Sequence, residues 1–418
     1  MTRHQKRSGV RRKRPTRPTR RTSLTLLTAL GTLAGAALAG ATPAGAATWT
    51  TVAAGVTYRQ YDLQAAAGVT HVHVLSVDLA NAHVRLGLLY PGAVASRAPV
   101  SRQADAQKAV AGINGDFFNI SETQHPGITA TGASVGPAIA NGKVLKGAVP
   151  DAQRFGPELP PGTNTRAVVG VAADGKARVD SLDLAGKVTA TRSRVALSGL
   201  NQYALPVNGI GAYTSDWGSV SRLRAACGTD TSRGAACSSS TYEVTVKHGR
   251  VVSTASKPGS GSIAAGATVL VGRETGAQRL KTFKVGQRVT VTHGLTAASR
   301  ATYRFAVGGY PVLSGGAPRS GLDARVSAVR TAVGIGNGGK RVYLLALDGA
   351  AAYRKGLTIA EVAAALKSLG ATEGFSLDGG GSSTLVARPS GKTKVTVRNH
   401  PSDGTERPVP NGIGVFTQ

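Results

Sequence analysis

The sequence is poor in the residues and motifs that most often identify a functional class. Its 418 residues include two cysteines, two tryptophans and one methionine, and aromatic residues make up 5% of the chain. Neither the H-E-x-x-H pattern of zinc proteases nor a Walker nucleotide-binding sequence occurs, which argues against those two classes. Apolar residues still make up 41%, and glycine occupies 55 positions. The composition therefore predicts a globular protein with many tight turns.

Acidic residues are absent from the first 22 positions, where ten arginines and lysines are concentrated. Residues 24–41 then carry no charge, and residues 44–46 read Ala-Gly-Ala. A basic segment, an apolar segment and an A-x-A sequence in this order predict a signal peptide over residues 1–46 and a secreted or wall-associated protein. An Arg-Arg pair resembles a twin-arginine signal, but the residue after next is serine where a large apolar residue is usual. Sec and Tat export both stay open.

The rest of the chain keeps an excess of positive charge. Without the leader, 40 basic residues remain against 21 acidic ones, a formal charge of +19. Such a field would concentrate anionic partners, for example phosphorylated glycans and teichoic acids. Simple cationic solubility explains the charge equally well. No nucleic-acid-reading motif accompanies it, so nucleic acid is not expected as a partner, and no membrane span is expected after leader removal.

The two cysteines, Cys227 and Cys237, lie in a segment rich in glycine and serine. In an oxidising compartment this spacing predicts a local disulfide. A metal site would require further ligands nearby, and the surrounding sequence offers none. We therefore expect a structural bridge.

Residues 47–104 alternate between apolar and polar positions and predict an N-terminal β-rich segment. His71 and His73 lie two positions apart, on one face of a predicted strand. A solvent-facing pair on an edge strand is favoured over a metal-binding pair. A helix is predicted over residues 101–110, with Ser101 as its N-cap.

From residue 300 onward the pattern predicts a strand, a helix and a second strand. Residues 341–347 and 374–377 are apolar runs, and residues 358–369 place their apolar side chains on one helical face. A right-handed βαβ crossover would make the two strands parallel and bring their carboxyl ends to one edge. Asp348 and Asp378 follow these strands directly, so we expect both carboxylates to face one crevice. The predicted fold class is α+β, a mixed sheet core with packed helices and β-rich N-terminal and insertion segments.

The second strand is followed by an aspartate, three glycines and two serines: Asp378, Gly379, Gly380, Gly381, Ser382 and Ser383. Three consecutive glycines are costly in chain entropy, and they let an anion approach bare backbone N–H groups. A flexible tight turn is the alternative, but it needs fewer glycines.

Other candidate side chains each have a structural alternative. Arg330 enters a glycine-spaced strand and can clamp a phosphate, although a surface arginine is commoner. Glu361 follows Thr358 in the T-x-x-E order of a capping box, which explains it without catalysis. A catalytic role stays open because helix N-termini can also point into active sites. Asn114 and Asp116 flank a glycine turn, and the two aromatic residues that follow are expected to pack the turn against the core. The polar groups of the turn would then be held in fixed positions, as a functional site requires.

Seven motifs occur in order: GINGDFF (112–118), VGGYPVL (307–313), RTAVGI (330–335), LALDG (345–349), GLTIAE (356–361), GFSLDGGGSSTLV (374–386) and NGIGVF (411–416). They resemble the phosphodiester glycosidase family, which includes the animal N-acetylglucosamine-1-phosphodiester uncovering enzyme and many bacterial exopolysaccharide-associated proteins. The resemblance covers roughly 105–418, with a β-rich insertion at about 160–300, and is strongest from residue 303. Asp116 stands where the family often has glycine.

The resemblance implies a hydrolase that cleaves the glycosidic bond of a sugar-1-phosphodiester, such as a GlcNAc-1-phosphodiester or a phosphorylated wall glycan. For this reaction we expect Asp378 nearest the anomeric carbon and Asp348 as its partner, with Glu361 as a third catalytic candidate. Arg330 and the backbone of residues 379–383 would hold the phosphate, and Asn114 would orient the sugar.

Asp116 and Thr358 are further substrate-binding candidates. No cofactor is required; a divalent cation such as Ca²⁺, held by Asp348 and Asp378, stays open.

Three other functions are weighed against this one. A non-catalytic exopolysaccharide- or wall-glycan-binding protein would keep the fold without turnover. A glycosidase for neutral glycans would act on a p-nitrophenyl glycoside and not on a sugar-1-phosphodiester. A cationic nucleic-acid binder, the least expected, would be retained on DNA in a salt-sensitive way.

Overall fold

The computed structural model describes residues 48–190, 193–353 and 355–418, and the predicted leader over residues 1–46 lies outside these ranges. Within them the chain forms 25 β-strands and three short α-helices. The α+β expectation therefore holds only coarsely, because strands dominate. In the described part of the chain, no helix combines the length and apolar character needed to span a membrane.

The N-terminal part contains β1 (Thr50–Ala53), β2 (Val56–Ala65), β3 (Gly68–Asp78), β4 (Val84–Leu89), α1 (Val100–Ala106), β5 (Ala111–Asn114), β6 (Ala138–Ala140) and β7 (Lys143–Lys146). The middle part contains β8 (Ala167–Ala172), β9 (Ala177–Ala190), β10 (Ser193–Ala196), β11 (Gly199–Leu200), β12 (Ile210–Tyr213), β13 (Thr241–Lys247), β14 (Arg250–Ala255), β15 (Ala267–Arg273), α2 (Thr275–Lys281) and β16 (Val289–Ala297). The C-terminal part contains β17 (Tyr303–Gly308), β18 (Tyr310–Ser314), β19 (Ala317–Pro318), β20 (Thr331–Gly336), β21 (Arg341–Leu347), α3 (Ile359–Ser368), β22 (Glu373–Leu377), β23 (Leu385–Ala387), β24 (Thr396–Val397) and β25 (Gly412–Thr417).

The strands of the described ranges form four sheets. The largest has the order β1-β2-β3-β21-β20-β22-β18-β19, and a second has the order β10-β9-β8-β17-β6-β7, with β16 also paired to β9. The other two have the orders β11-β12-β15-β13-β14 and β24-β23-β5-β25-β4. Neighbouring strands pair antiparallel throughout, except for the short parallel pair β11–β12.

β21, α3 and β22 follow one another along the chain, but the two strands are not neighbours in the sheet. β20 lies between them and pairs antiparallel with both, so that Thr331 faces Ala346 on one side and Leu377 on the other. β21 and β22 therefore run in the same direction. The residues that follow them, Asp348 and Asp378, leave the sheet at the same edge.

The N-terminal strands belong to this same sheet. β3 pairs along its length with β21, which places β2 and β1 further out. Strands on both sides of residue 105 therefore belong to one sheet, and the chain from Ala47 to Gln418 forms one compact unit. α1 begins at Val100 after the N-cap residue Pro99, so the prediction of Ser101 as N-cap is wrong.

α3 packs closely on the large sheet. The side chains of its buried face are Ile359, Val362, Ala363, Ala365 and Leu366. Gly334 on β20 and Gly374 on β22 leave room for this face, because a Cβ atom would come within 3.2 Å of a Leu366 methyl at the first position and within 2.9 Å at the second. The two glycines thus allow α3 to pack directly on β20 and β22.

Candidate active site

Asp378 directly follows β22 of the large sheet, and both its backbone N–H and its carbonyl form hydrogen bonds. Its N–H donates to the Gly115 carbonyl (2.9 Å), and its own carbonyl accepts from the Asn114 amide (2.7 Å). The residue as a whole is partly exposed. Burial raises the pKa of Asp378 to about 7, although the Ser382 hydroxyl and the Arg407 charge act in the opposite direction. A carboxyl group with a pKa near neutrality is suited to proton transfer at physiological pH.

Asn114 supports Asp378 from inside the protein. It has no exposed surface, and its Oδ1 accepts from the Thr331 hydroxyl (3.0 Å) and the Thr384 N–H (3.0 Å). With its amide N–H on the Asp378 carbonyl, the side chain is occupied at both ends. This geometry gives Asn114 a positioning role instead of the predicted direct contact with a sugar.

Asp116 is a second carboxylate close to Asp378, and only 2% of it is exposed. Its Oδ2 accepts from the Gly136 N–H (2.6 Å). Burial raises the pKa of Asp116 and lowers that of Lys146, and the attraction between the two charges opposes both shifts. Three backbone carbonyls surround the Lys146 ammonium group. The Asp116 charge in turn raises the pKa of Asp378, the coupling expected of neighbouring acids in a site.

Arg154 is a site residue that the sequence did not reveal. Its guanidinium group lies over the rings of Phe117 (4.7 Å) and Tyr310 (5.8 Å), and the residue is partly exposed. Burial lowers the pKa of Arg154, while the charges of Asp116 and Asp378 oppose this shift. A cation thus lies near both carboxylates. It lies between the motifs GINGDFF and VGGYPVL, where no motif marks it.

Arg330 also interacts with Tyr310. Its Nε donates to the Leu357 carbonyl (3.0 Å) and its Nη2 to the Val326 carbonyl (2.7 Å), so part of the guanidinium group is already occupied. Arg330 and Tyr310 line a cleft of about 600 Å³. Its apolar lining consists of Pro157, Leu159, Pro160, Pro161, Val326, Ala328 and Ile359. Two acidic residues, Glu158 and Asp323, also line the cleft, which has space for a ligand.

The glycine loop after Asp378 is less available to a ligand than predicted. The N–H groups that donate within the protein are those of Gly379, Gly380, Ser382 and Ser383. The Ser383 hydroxyl is buried and bonds to Thr331 (3.0 Å). A phosphate cradle made of the backbone N–H groups of residues 379–383 is therefore not supported, because most of these groups have protein acceptors.

The glycines instead permit close packing around the aspartate. A Cβ atom at Gly379 would collide with the Val329 carbonyl, and one at Gly381 would overlap the Arg407 guanidinium group. Arg407 pairs with Asp403 (2.9 Å) and lies close enough to Asp378 to lower its pKa. Because Gly381 has no side chain, the Arg407 guanidinium group can lie close to Asp378 as a second cation.

Asp348 lies in a different environment. Its Oδ1 lies 3.0 Å from Nε2 of His73 and accepts from the His400 N–H (2.6 Å), and its Oδ2 lies 3.1 Å from Nδ1 of His400. Burial alone would raise the pKa of Asp348, but the hydrogen bonds from His73 and His400 outweigh it and lower the pKa to about 2. Asp348 is an ionised anchor with both oxygens engaged.

His73 continues this network, since its Nδ1 lies 2.7 Å from the Tyr58 hydroxyl. The favoured interpretation of His71 and His73 as a solvent-facing pair on an edge strand is wrong, because β3 lies between β2 and β21 and His73 is buried. His71 pairs with Asp62 and contacts the Tyr353 ring edge-on.

Glu361 and Thr358 form the capping box that the sequence indicates. The Thr358 hydroxyl accepts from the Glu361 N–H (3.1 Å), and the Glu361 carboxylate accepts from the Thr358 N–H (2.8 Å). The other carboxylate oxygen accepts from the Ala66 N–H (2.7 Å), in the turn between β2 and β3. These bonds account for both residues without a catalytic or substrate-binding role.

Cys227 and Cys237 form the predicted disulfide. His125 lies near both sulfur atoms, contrary to the expectation that no further metal ligand is nearby. Its ring nitrogens are already engaged, one with the Glu122 carboxylate (2.6 Å) and the other with the Ala235 carbonyl (2.8 Å). This is the one trio of potential metal ligands within the described ranges, and it contains neither predicted aspartate, so the Ca²⁺ prediction gains no support.

Residues 132–136 match the G-x-S-x-G pattern of serine hydrolases, but the local structure differs from a nucleophile elbow. Ser134 is buried and pairs with Phe118 in an isolated β-bridge, and a strand follows where such an elbow leads into a helix. The serine is therefore not presented to a substrate.

Fold and site together define a β-rich domain with two coupled acids beside arginine side chains. Residues 240–416 match the model of the phosphodiester glycosidase family, which confirms the resemblance. This range includes Arg330, Asp348, Asp378 and Arg407, whereas Asp116 and Arg154 precede it. No curated protein matches the chain in sequence.

Solved structures share the fold. A hypothetical protein from Synechocystis aligns with a TM-score of 0.68 and 19% identity over 90% of this chain, which spans 64% of that protein. A protein from Burkholderia pseudomallei K96243 aligns with a TM-score of 0.61 and 24% identity, over 83% of this chain and 74% of that one. The zebrafish N-acetylglucosamine-1-phosphodiester alpha-N-acetylglucosaminidase catalytic domain, auto-inhibited by its pro-peptide, gives a TM-score of 0.43 at 15% identity over 87% of this chain and 83% of that one, too low to support an argument.

Proposed function

We propose that the protein hydrolyses the glycosidic bond of a sugar-1-phosphodiester. One observation carries the proposal: Asp378 is a partly exposed acid with a pKa raised to about 7, and the charges of Arg154 and Arg407 act on it. A substrate with a negative phosphodiester next to the reacting carbon requires this combination of a carboxylate and nearby cations.

In the proposed reaction, ionised Asp378 either removes a proton from an attacking water or attacks the anomeric carbon itself. The bond between that carbon and the phosphate-bound oxygen breaks, and the electron pair leaves with the phosphate monoester. Water supplies the new hydroxyl of the sugar. Because a phosphate ester is a good leaving group, the reaction needs charge neutralisation more than protonation. The proposed source is the free part of Arg330 and that of Arg154, whose Nη1 donates to the Pro157 carbonyl.

The cleft beside Tyr310 and Arg330 is proposed to hold the group on the far side of the phosphate. Its proline-rich wall offers apolar surface, and Arg330 lies at the same wall. We further propose that the protein is exported by its N-terminal leader and acts on a phosphorylated wall or exopolysaccharide glycan. The positive charge of the chain after the leader supports an anionic partner.

A non-catalytic glycan-binding protein is the second candidate function. It is favoured by the engagement of both Asp348 oxygens and of most glycine-loop N–H groups, because fewer groups reach a substrate than the sequence predicts. A glycosidase for neutral glycans is the third, but the arginines beside the acids argue for a charged substrate.

The test is a substrate screen with purified protein spanning residues 47–418. UDP-GlcNAc, GlcNAc-phospho-mannose and teichoic acid fragments are incubated with the protein, and released sugar is quantified against an Asp378→Asn control. We expect release from a diester, with none from a p-nitrophenyl glycoside. Release from the neutral glycoside alone would establish an ordinary glycosidase, and binding without release from any substrate would establish a glycan-binding protein.

A further inference from the structure

Arg154 lies outside regular secondary structure, directly after the short 3-10 turn Asp151–Gln153. Its backbone is nevertheless held by a segment more than 70 positions away in sequence. We infer that residues 227–237, here called the disulfide loop, are a positioning element that fixes Arg154 at the anion-binding side of the site. The inference rests on the proposed function and concerns how its cation is held in place.

The first connection is made by Gln153, the residue before Arg154. Gln153 is completely buried, and its Nε2 donates to the carbonyls of Thr229 (2.5 Å) and Ser232 (3.2 Å) in the disulfide loop. Both acceptors lie in the interior of that loop, so their positions depend on the conformation between the two cysteines.

The second connection reaches Arg154 itself. Arg233, in the same loop, donates from Nη1 to the Arg154 carbonyl (2.7 Å). Its guanidinium group also lies 4.2 Å from the centre of the Phe155 ring. Gln153, Arg154 and Phe155 are thus each contacted by the disulfide loop.

The buried side chain of Arg224 connects the disulfide loop to Gln153. Arg224 donates from Nη2 to Oε1 of Gln153 (3.1 Å), from Nη1 to the Cys227 carbonyl (3.1 Å), and from Nε to the Glu122 carboxylate. Arg224 and Glu122 are both buried. Since a buried charge requires its partners, this arrangement ties the start of the disulfide loop to Gln153.

The bridge between the cysteines keeps the loop in this conformation. The loop has little regular structure, with backbone hydrogen bonds from Gly228 to Ala235 (3.0 Å) and from Thr229 to Ser232 (2.8 Å). Opening the bridge would let it sample other conformations and release the carbonyls that hold Gln153. Cys237 is exposed and Cys227 is buried, so we expect a reductant to attack the bond at the Cys237 sulfur.

The first experiment separates positioning from general stability through Arg233. Arg233→Ala is expected to lower kcat/KM for a diester substrate about five-fold at an unchanged melting temperature, since a charge-assisted hydrogen bond that orients the cation beside the phosphate is lost. Arg233→Lys should recover part of the loss. In an Arg154→Ala background, Arg233→Ala should have no further effect.

The second experiment opens the bridge itself. Dithiothreitol treatment in the presence of a chelator, and separately the Cys227→Ser/Cys237→Ser double variant, should weaken diester binding by about ten-fold while Arg154 is present. The chelator prevents metal binding by the freed thiols. Neither change should alter KM in the Arg154→Ala background.

Binding of GlcNAc-1-phosphate, measured by calorimetry, keeps this inference separate from the proposed reaction. If no diester is hydrolysed but reduction weakens GlcNAc-1-phosphate binding only when Arg154 is present, the positioning role stands and the hydrolase proposal falls. Equal losses with and without Arg154, or wild-type protein that does not bind GlcNAc-1-phosphate, would overturn the positioning role.

Discussion

Asp348 and Asp378 occupy equivalent places in the sequence pattern and opposite chemical environments in the structure. Each is the first residue after an apolar strand, and β20 lies between the two strands. Hydrogen bonds lower the pKa of Asp348 to about 2, whereas burial raises that of Asp378 to about 7. The strand ends determine the position of each carboxylate, and the neighbouring loops determine its pKa and its hydrogen-bond partners.

These loops differ in the groups they bring to the carboxylate. Asp348 receives two histidines, His73 from β3 and His400 from the segment before β25, and both of its oxygens are engaged. Asp378 receives glycines and the more distant charge of Arg407, and it stays partly exposed. Substitutions at the two positions should therefore produce different losses, one in activity and the other in stability.

The largest expected effect is the loss of activity in Asp378→Asn. We expect kcat for diester hydrolysis to fall by at least about 1000-fold, because the amide can neither accept a proton nor attack. The folded-state pKa lies above the ordinary value, so ionisation of Asp378 destabilises the fold as pH rises from about 4 through 7. The variant should accordingly unfold at the same or a higher temperature than wild type near pH 8. Retained activity would remove Asp378 from the mechanism.

Asp348→Asn should reverse this pattern and lower stability. The folded-state pKa of Asp348, about 2, is below its ordinary value, so its ionised form stabilises the fold above about pH 4. That contribution is lost as pH falls through 2. We expect a loss of about 2–3 kcal/mol near neutral pH, measured by urea unfolding and smaller near pH 3. Unchanged stability with abolished turnover would instead place Asp348 in the reaction.

A smaller change is expected when the cation beside Asp378 is removed. The Arg407 charge opposes the effect of burial, so Arg407→Ala should raise the pKa of Asp378 further. The acidic limb of the profile of kcat/KM against pH should move to higher pH, and Arg407→Lys should keep it near the wild-type position. A limb that stays in place in Arg407→Ala would show that another group controls the profile.

The smallest effect is expected at Glu361, which resembles Asp348 in having its oxygens engaged. Glu361→Gln should keep activity within about two-fold and lower stability by about 0.5–1 kcal/mol, because the amide retains part of the capping box. Thermal unfolding and initial rates measured on the same preparation check both. A ten-fold loss of activity in a stable variant would restore the catalytic interpretation.

Local sequence patterns predicted the parts of the site that depend on neighbouring residues. The strand before Asp348, the capping box at Thr358 and Glu361, and the disulfide all follow from short-range spacing, and each occurs in the structure. The position of Asp378 after an apolar run is of the same kind. In these cases, the chemistry that decides the structure lies within about a dozen residues.

The groups that distinguish the two aspartates come from distant parts of the chain. His73 reaches Asp348 across 275 positions, and Asn114 reaches the Asp378 carbonyl across 264. Arg154 carries no sequence signal, because a loop arginine over an aromatic ring is defined only by tertiary packing. The insertion of β20 between β21 and β22 is likewise a matter of strand order, which periodicity does not encode.

Because β3 and β21 pair in one sheet, truncation of the protein between them has a practical consequence. A fragment that starts at residue 240, where the family match begins, would lack β3 and leave the backbone of β21 unpaired along a hydrophobic edge. It would also lack β5, which separates β23 from β25 in their own sheet. Such a fragment would be expected to pair with copies of itself and precipitate, so the matched region is not an independently folding module.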